Sequence, residues 1–219
     1  QFDISLQVTI PNEWEKMAPI NVGFTAGIET TQVAHQWIQK ANEVDRIIVV
    51  SNHSKQVFEK TVYSARHDQN PQHEFELRTT TPIDAVNYPT KTYEKSPDLG
   101  IELDYDFNFL AAQFGPRKNL PNTVNWFVEE FRDEEVGLVI KTNLAKNCVM
   151  DREKVRNDLT RFLKQFGERT CKVYLLHGDM EDDELHSLYV HPQIEALVSL
   201  AHGEGFGLPI FEASYSGLP

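Results

Sequence analysis

The stretch HGEGFGLPIFEASYSGLP, residues 202–219, decides the fold of this chain. Glu204 and Glu212 stand on either side of a glycine turn, with Pro209 just beyond it. Proline suits the first turn of a helix, where no backbone donor is needed, so a helix is expected over Leu208–Ser216. The run before the turn, IEALVSL at 194–200, is apolar enough for a buried strand. Strand, glycine turn and helix in that order form the unit of a parallel α/β sheet.

Working outward, three more such units precede it. NFLAAQF (108–114) reads as a strand, followed by a helix with Val124, Phe127, Val128 and Phe131 at i, i+3, i+4, i+7. VGLVIK (136–141) is the next strand, and Asp151–Phe166 the next helix, with Val155, Leu159, Phe162, Leu163 and Phe166 on one face. KVYLL (172–176) is followed by a helix over Asp182–Tyr189, whose acidic start favours the helix dipole. Four strand-helix units in a row predict a parallel sheet with helices on both faces.

The first half repeats the theme less regularly. Strands are expected at Phe2–Ile10, Val22–Gly27 and Asp45–Ser51, with helices at Gln32–Asn42 and from Ser54 to Ala65. DRIIVVS (45–51) is a continuous apolar run, as in a strand buried on both faces. Residues 66–105 are polar and carry four prolines, so a long loop is expected there. It holds one strand near Ile83–Val86 and ends in a linker near Asp104.

Composition bounds the partners. The chain has 219 residues, 40% hydrophobic and 25% charged, within the range of globular proteins. A net charge of -12 argues against a nucleic-acid surface. No apolar run approaches the roughly 18 residues of a membrane span. QFDISLQVTI at the start alternates like a strand, unlike a leader peptide. Cys148 and Cys171 have neither metal-ligand nor disulfide-framework spacing, so a cytoplasmic setting is expected.

Doubly wound sheets commonly order their strands 3-2-1-4, and ligands bind where that order reverses. Strand 1 of the second half runs into QFGPRKNLP (113–121), and strand 4 into AHGEGFGLP (201–209). Both loops therefore meet at the switch point, and each leads into a helix N-terminus, where free amides favour an anion. Arg117 and Lys118 add positive charge, while Gly205 and Gly207 permit close backbone approach. A diphosphate suits this setting. A carboxylate can accept from both hydroxyls of a vicinal diol. Glu212, one turn into its helix, is placed for a ribose, and Glu204, in the loop, for a sugar further out. Ribose, diphosphate and sugar together make a nucleotide sugar.

EGFGLPIFEASYSGLP resembles the hallmark of retaining glycosyltransferases of the GT-B fold, group 1 (family 4). Its signature is a glutamate, seven residues and a second glutamate, around GFGLP, with an EA...G.P tail. Here it is matched by Glu204, Gly205, Phe206, Gly207, Leu208, Pro209, Glu212, Ala213, Gly217 and Pro219. FLAAQFGPRKN resembles the first strand of that family's donor domain and its basic loop, with Lys118 at the phosphate-contacting lysine. Where the family has an arginine, this chain has Gln113, and Arg117 stands nearby as a substitute. HGDMEDDELHSLY (177–189) resembles the segment where the base sits near His177 and Gly178, and DRIIVVSNHSKQVF resembles the end of the acceptor domain.

The resemblance implies an α/β, GT-B type protein with Rossmann-like parallel sheets, both domains incomplete. Residues 1–104 would be the later part of the acceptor-side domain plus linker, and 105–219 the earlier part of the donor domain. It implies Glu204 and Lys118 as catalytic residues. Glu212, Gly205, Phe206, Gly207, Leu208, Arg117, His202 and Gly178 would bind the donor, with no cofactor and no metal. The acceptor would be a saccharide, lipid or protein. A non-catalytic nucleotide-sugar-binding fragment is the alternative, and an unrelated phosphoesterase-like enzyme a third reading. Unfinished sheets would expose edges and favour self-association.

Other residues have plainer readings. Lys141 is a structural or solvated lysine before it is a phosphate ligand. His35, His53 and His177 are exposed or satisfied histidines. The run EDDE (181–184) is a helix start, and Asp104-Tyr105-Asp106 a solvated pair and not a metal site. Glu29, in GIETT, is a candidate substrate contact.

Overall fold

The computed structural model describes residues 2–26, 28–67, 70–112 and 115–219. The chain divides into two compact units. The first is Gln1–Pro89 with Gly203–Gly207, and the second is Thr90–His202 with Leu208–Pro219.

The first unit is built on a parallel sheet of β1 (Ile4–Val8), β2 (Ile20–Thr25), β3 (Arg46–Val49) and β6 (Ile83–Ala85), in the order β1-β2-β3-β6. Helices α1 (His35–Ala41) and α2 (Asn52–Lys60) supply its apolar cover: Ile38, Ala41, Val57 and Phe58 bury against Ile47, Val49 and Ile83. Trp14 completes this core by lying on Gly23, where a Cβ would come within 2.5 Å of the indole. The edge strand β1 leaves Ile4, Leu6 and Val8 exposed.

The helix expected to run to Ala65 stops at Lys60. Thr61 takes an extended conformation and returns its hydroxyl to the Val57 carbonyl at 2.7 Å. Beyond it lies an antiparallel pair, β4 (Val62–His67) and β5 (Asn70–Arg78), in place of the expected loop. The signal was present in the alternation of Phe75 and Leu77 with Glu74, Glu76 and Arg78. Cross-strand pairing of Tyr63 with Leu77 and of Ala65 with Phe75 realises it.

The second unit is a parallel sheet of β7 (Phe107–Ala112), β8 (Val136–Thr142), β9 (Lys172–His177) and β10 (Ile194–Leu197), ordered β10-β7-β8-β9. Counted from β7, this is the 3-2-1-4 order expected of a doubly wound sheet. Alternate residues face opposite sides. Ala111, Leu138 and Ile140 pack with α3 (Leu120–Phe131) and with Leu159 of α4 (Val149–Leu163). Leu110 and Val139 pack instead with Leu188 and Tyr189 of α5 (Asp182–Tyr189) and Ala213 of α6 (Leu208–Tyr215). Leu99, Ile101 and Leu103 of the expected linker join that second core. The helices thus cover both faces.

At the N-terminal edge of this sheet, Asp104 is not merely solvated. It pairs with Lys172 at 2.9 Å and accepts from the Tyr174 hydroxyl at 2.9 Å. The acidic run at 181–184 starts α5 as expected, the Glu184 carboxylate accepting from the Glu181 amide at 2.8 Å.

Candidate functional site

β7 and β10 are neighbours, so the loops after them leave the same edge of the sheet. They are joined there: the His202 amide donates to the Arg117 carbonyl at 2.9 Å, and the Asn119 side chain donates to the Leu200 carbonyl at 3.0 Å. Asn119 is buried and left-handed, with φ 57°, directly before α3. Asparagine tolerates that conformation better than most residues, yet nothing in the sequence reading singled it out. Arg117 and Lys118 are half-buried in this loop and His202 is exposed. The reading of Gln113 lies outside the described residues. Pro121 and Pro209 are each the second residue of their helix, α3 and α6.

Glu212 lies half-buried on α6, one turn from its start. The Tyr189 hydroxyl, itself buried, donates to its Oε2 at 3.3 Å. Burial pushes the Glu212 carboxyl above the usual carboxylate range, against the pull of this bond, and Asp182 adds to the rise. Burial likewise pushes the Tyr189 phenol up, so Tyr189 stays a donor.

A cleft of about 380 Å³ opens beside this pair, lined by Lys141, Asn143, Asp179, Met180, Tyr189 and Pro209 among others. Lys141 donates to the Gly178 carbonyl, and burial holds its ammonium below the usual lysine range. Gly178 has φ 116°, and a Cβ there would come within 2.8 Å of Asn147 Oδ1, so this turn requires glycine. Behind it, His177 meets Asp151 at 2.8 Å in a nearly buried pair, which gives that histidine its partner. The His177 bond, first, and the Leu144 amide hold the Asp151 carboxyl below its ordinary range.

Two residues of the expected linker also reach this region of the second unit. Lys91 pairs with Asp182, and the Tyr93 ring stacks on His186 with centroids 4.8 Å apart. Both feel the charge of Glu212. Linker composition concealed them.

The other half of the glutamate motif packs in the first unit. Glu204 is half-buried and Gly205 and Gly207 are buried. A Cβ at Gly205 would meet the Ala26 carbonyl at 2.5 Å, and one at Gly203 the Glu29 carbonyl at 1.7 Å. The close approach is therefore to the chain's own loop after β2, which also places Glu29. Gly207, with φ 78°, provides the left-handed turn into Leu208. Phe206 meets Tyr88 edge-on, with centroids 5.3 Å apart. His53 lies 3.2 Å from the Thr30 carbonyl. Among the described residues no three His, Cys, Asp or Glu cluster as metal ligands, and no helix is long and apolar enough to cross a membrane.

No protein-family model matches this chain, and no curated protein matches it in sequence. Its fold is similar to a solved structure of OtsA in the apo state. The TM-score is 0.54 and the identity 10%, over 90% of this chain and 50% of OtsA. At that identity the likeness speaks to the fold: this is an α/β protein with Rossmann-like parallel sheets of the GT-B type. The chain spans about half the length of the OtsA chain.

Proposed function

We propose that this chain belongs to a retaining glycosyltransferase, group 1 in type, and binds a nucleotide-diphosphate sugar through its second unit. The observation that carries the reading is the junction at β7 and β10. There the Arg117–Lys118 loop is bonded to the loop after β10, and α6, which carries Glu212, packs its Ala213 in one core with Leu110 of β7. In this reading the amides starting α3 and α6, with Lys118, stabilise charge on the leaving diphosphate. Glu212 takes the ribose diol. The cleft beside Gly178 and Tyr189 receives the base. The GT-B type fold shared with OtsA supports the same class. The sugar then moves to an acceptor hydroxyl on the face it leaves, which preserves its anomeric configuration.

Calorimetry of UDP, GDP and ADP against the chain and its Glu212→Ala variant tests this. One nucleotide binding to the parent and at least about tenfold weaker to the variant is expected, since charge-assisted bonds of roughly 1.5–3 kcal/mol are lost. Equal affinity for parent and variant would refute the role of Glu212. A sugar-nucleotide that binds without turnover on any acceptor would favour a binding module.

A further inference from the structure

Two opposite charges line the cleft beside Gly178 without pairing with each other. Lys141, half-buried at the end of β8, donates one ammonium proton to the Gly178 carbonyl. An ammonium has three donors, and the other two meet no acceptor among the described residues. Asp179, exposed just beyond β9, accepts from the Asn143 side chain on Oδ1 at 3.1 Å. Its Oδ2 takes no bond among the described residues. Burial holds the Lys141 ammonium below its ordinary range, and the charge of Asp179 opposes that fall. All of these residues belong to the second unit.

An ammonium beside a carboxylate offers a donor next to an acceptor, and the carboxylate is best satisfied by two adjacent N–H groups. Nucleobases differ in what they present to such a pair. Guanine shows O6, N1–H and its N2 amino group in a row, an acceptor followed by two donors. Uracil shows O4, N3–H and O2, so its second carbonyl would face the carboxylate. Adenine and cytosine each set one amino group beside a bare ring nitrogen. We propose that this cleft selects guanine, Lys141 donating to O6 and Asp179 accepting from N1–H and the N2 amino group. Met180, Tyr189 and Pro209 give the ring apolar walls. The volume of about 380 Å³ lies within the span of small-ligand sites. The donor is then a GDP-sugar. This rests on the nucleotide-sugar reading above and adds the base to it.

The two contacts can be tested one at a time. Inosine diphosphate (IDP) is GDP without the N2 amino group, so it removes one donor to Asp179 and leaves O6 in place. Calorimetry gives the affinities of GDP, IDP, UDP and ADP for the parent, Asp179→Asn and Lys141→Met. Asparagine keeps an oxygen for the Asn143 bond but replaces the other acceptor with an N–H group. Methionine keeps the length of the lysine stem and loses its charge. The comparison of GDP with IDP on the parent needs no substitution, so it stands whatever a variant does to folding.

The parent should bind GDP about tenfold or more tighter than IDP, UDP or ADP, each of which denies the carboxylate a charge-assisted bond. In Asp179→Asn the GDP-to-IDP ratio should shrink to about twofold or less. Lys141→Met should weaken GDP and IDP alike, about tenfold, and leave ADP no worse, since adenine sets an amino group where guanine has O6. An equal loss for all four would place Lys141 on the diphosphate and overturn its role. Equal affinity of the parent for GDP and IDP, or tightest binding of UDP or ADP, overturns the choice of guanine and leaves the nucleotide-sugar reading standing. Binding of none of the four by the parent overturns that reading, and the guanine assignment with it.

Discussion

Removing the Tyr189 hydroxyl should raise the Glu212 pKa and cost stability only where Glu212 is ionised. In Tyr189→Phe the ring stays in the core beside Leu188 and Leu110, and only the 3.3 Å bond to Glu212 is lost. A hydrogen bond to a charged group is worth about 1.5–3 kcal/mol, and this one, weakened by its length, about 1. At 1.36 kcal/mol per pH unit, the Glu212 pKa should rise by about 0.7. The sign follows from the direction of the shift. Glu212 is already raised in the folded state, so it holds its proton more tightly folded than unfolded. It therefore opposes folding above its folded pKa, and this cost disappears below the ordinary glutamate range. Tyr189→Phe enlarges that cost. Its melting temperature should fall by about 2–4 °C at pH 7.5 for about 1 kcal/mol in a chain of this size. Near pH 4 it should match the parent. Carboxyl-carbon NMR titration, with Glu212→Gln to assign the signal, measures the pKa directly. A loss of equal size at both pH values, with the Glu212 pKa unmoved, would refute the pairing.

Gly178→Ala should destabilise the second unit by about 1–3 kcal/mol, because φ 116° is costly for alanine and its Cβ would crowd Asn147; urea unfolding measures this. Asn119→Ala should lose the bond to Leu200 and the left-handed tolerance, costing about 1–3 kcal/mol. Asn119→Gly, which restores the backbone freedom alone, should recover part of that in the same assay. Lys118→Ala should weaken nucleoside diphosphate binding about tenfold or more and flatten its dependence on salt, read by calorimetry at two ionic strengths.

How much of this was legible depends on the distance over which each feature is decided. The second unit is a succession of local decisions. Apolar runs of strand length, amphipathic helices and prolines at 121 and 209 each state their element within about fifteen residues, and the strand order follows from them. The pair β4–β5 was missed because its evidence is split. Val62 and Tyr63 continue a helical-looking run, and only pairing with Phe75 and Leu77 makes them a strand. The glutamates were visible through their glycine spacing. The partner of Glu212 was not: Tyr189 lies 23 residues away. Such partners are chosen by the fold and leave no mark in neighbouring sequence. Asp104 and His177 show the same limit, since Lys172 and Asp151 find them only in three dimensions.

The central claim is that a nucleoside diphosphate sits at the β7–β10 junction, and amide-exchange footprinting with saturating UDP, GDP or ADP tests it most directly. The account predicts that one of the three slows exchange in peptides covering 115–121, 177–182 and 208–213 together. Protection confined to other segments, such as the apolar hollow formed by Phe109, Trp126 and Val198, would contradict it, as would no protection by any of the three.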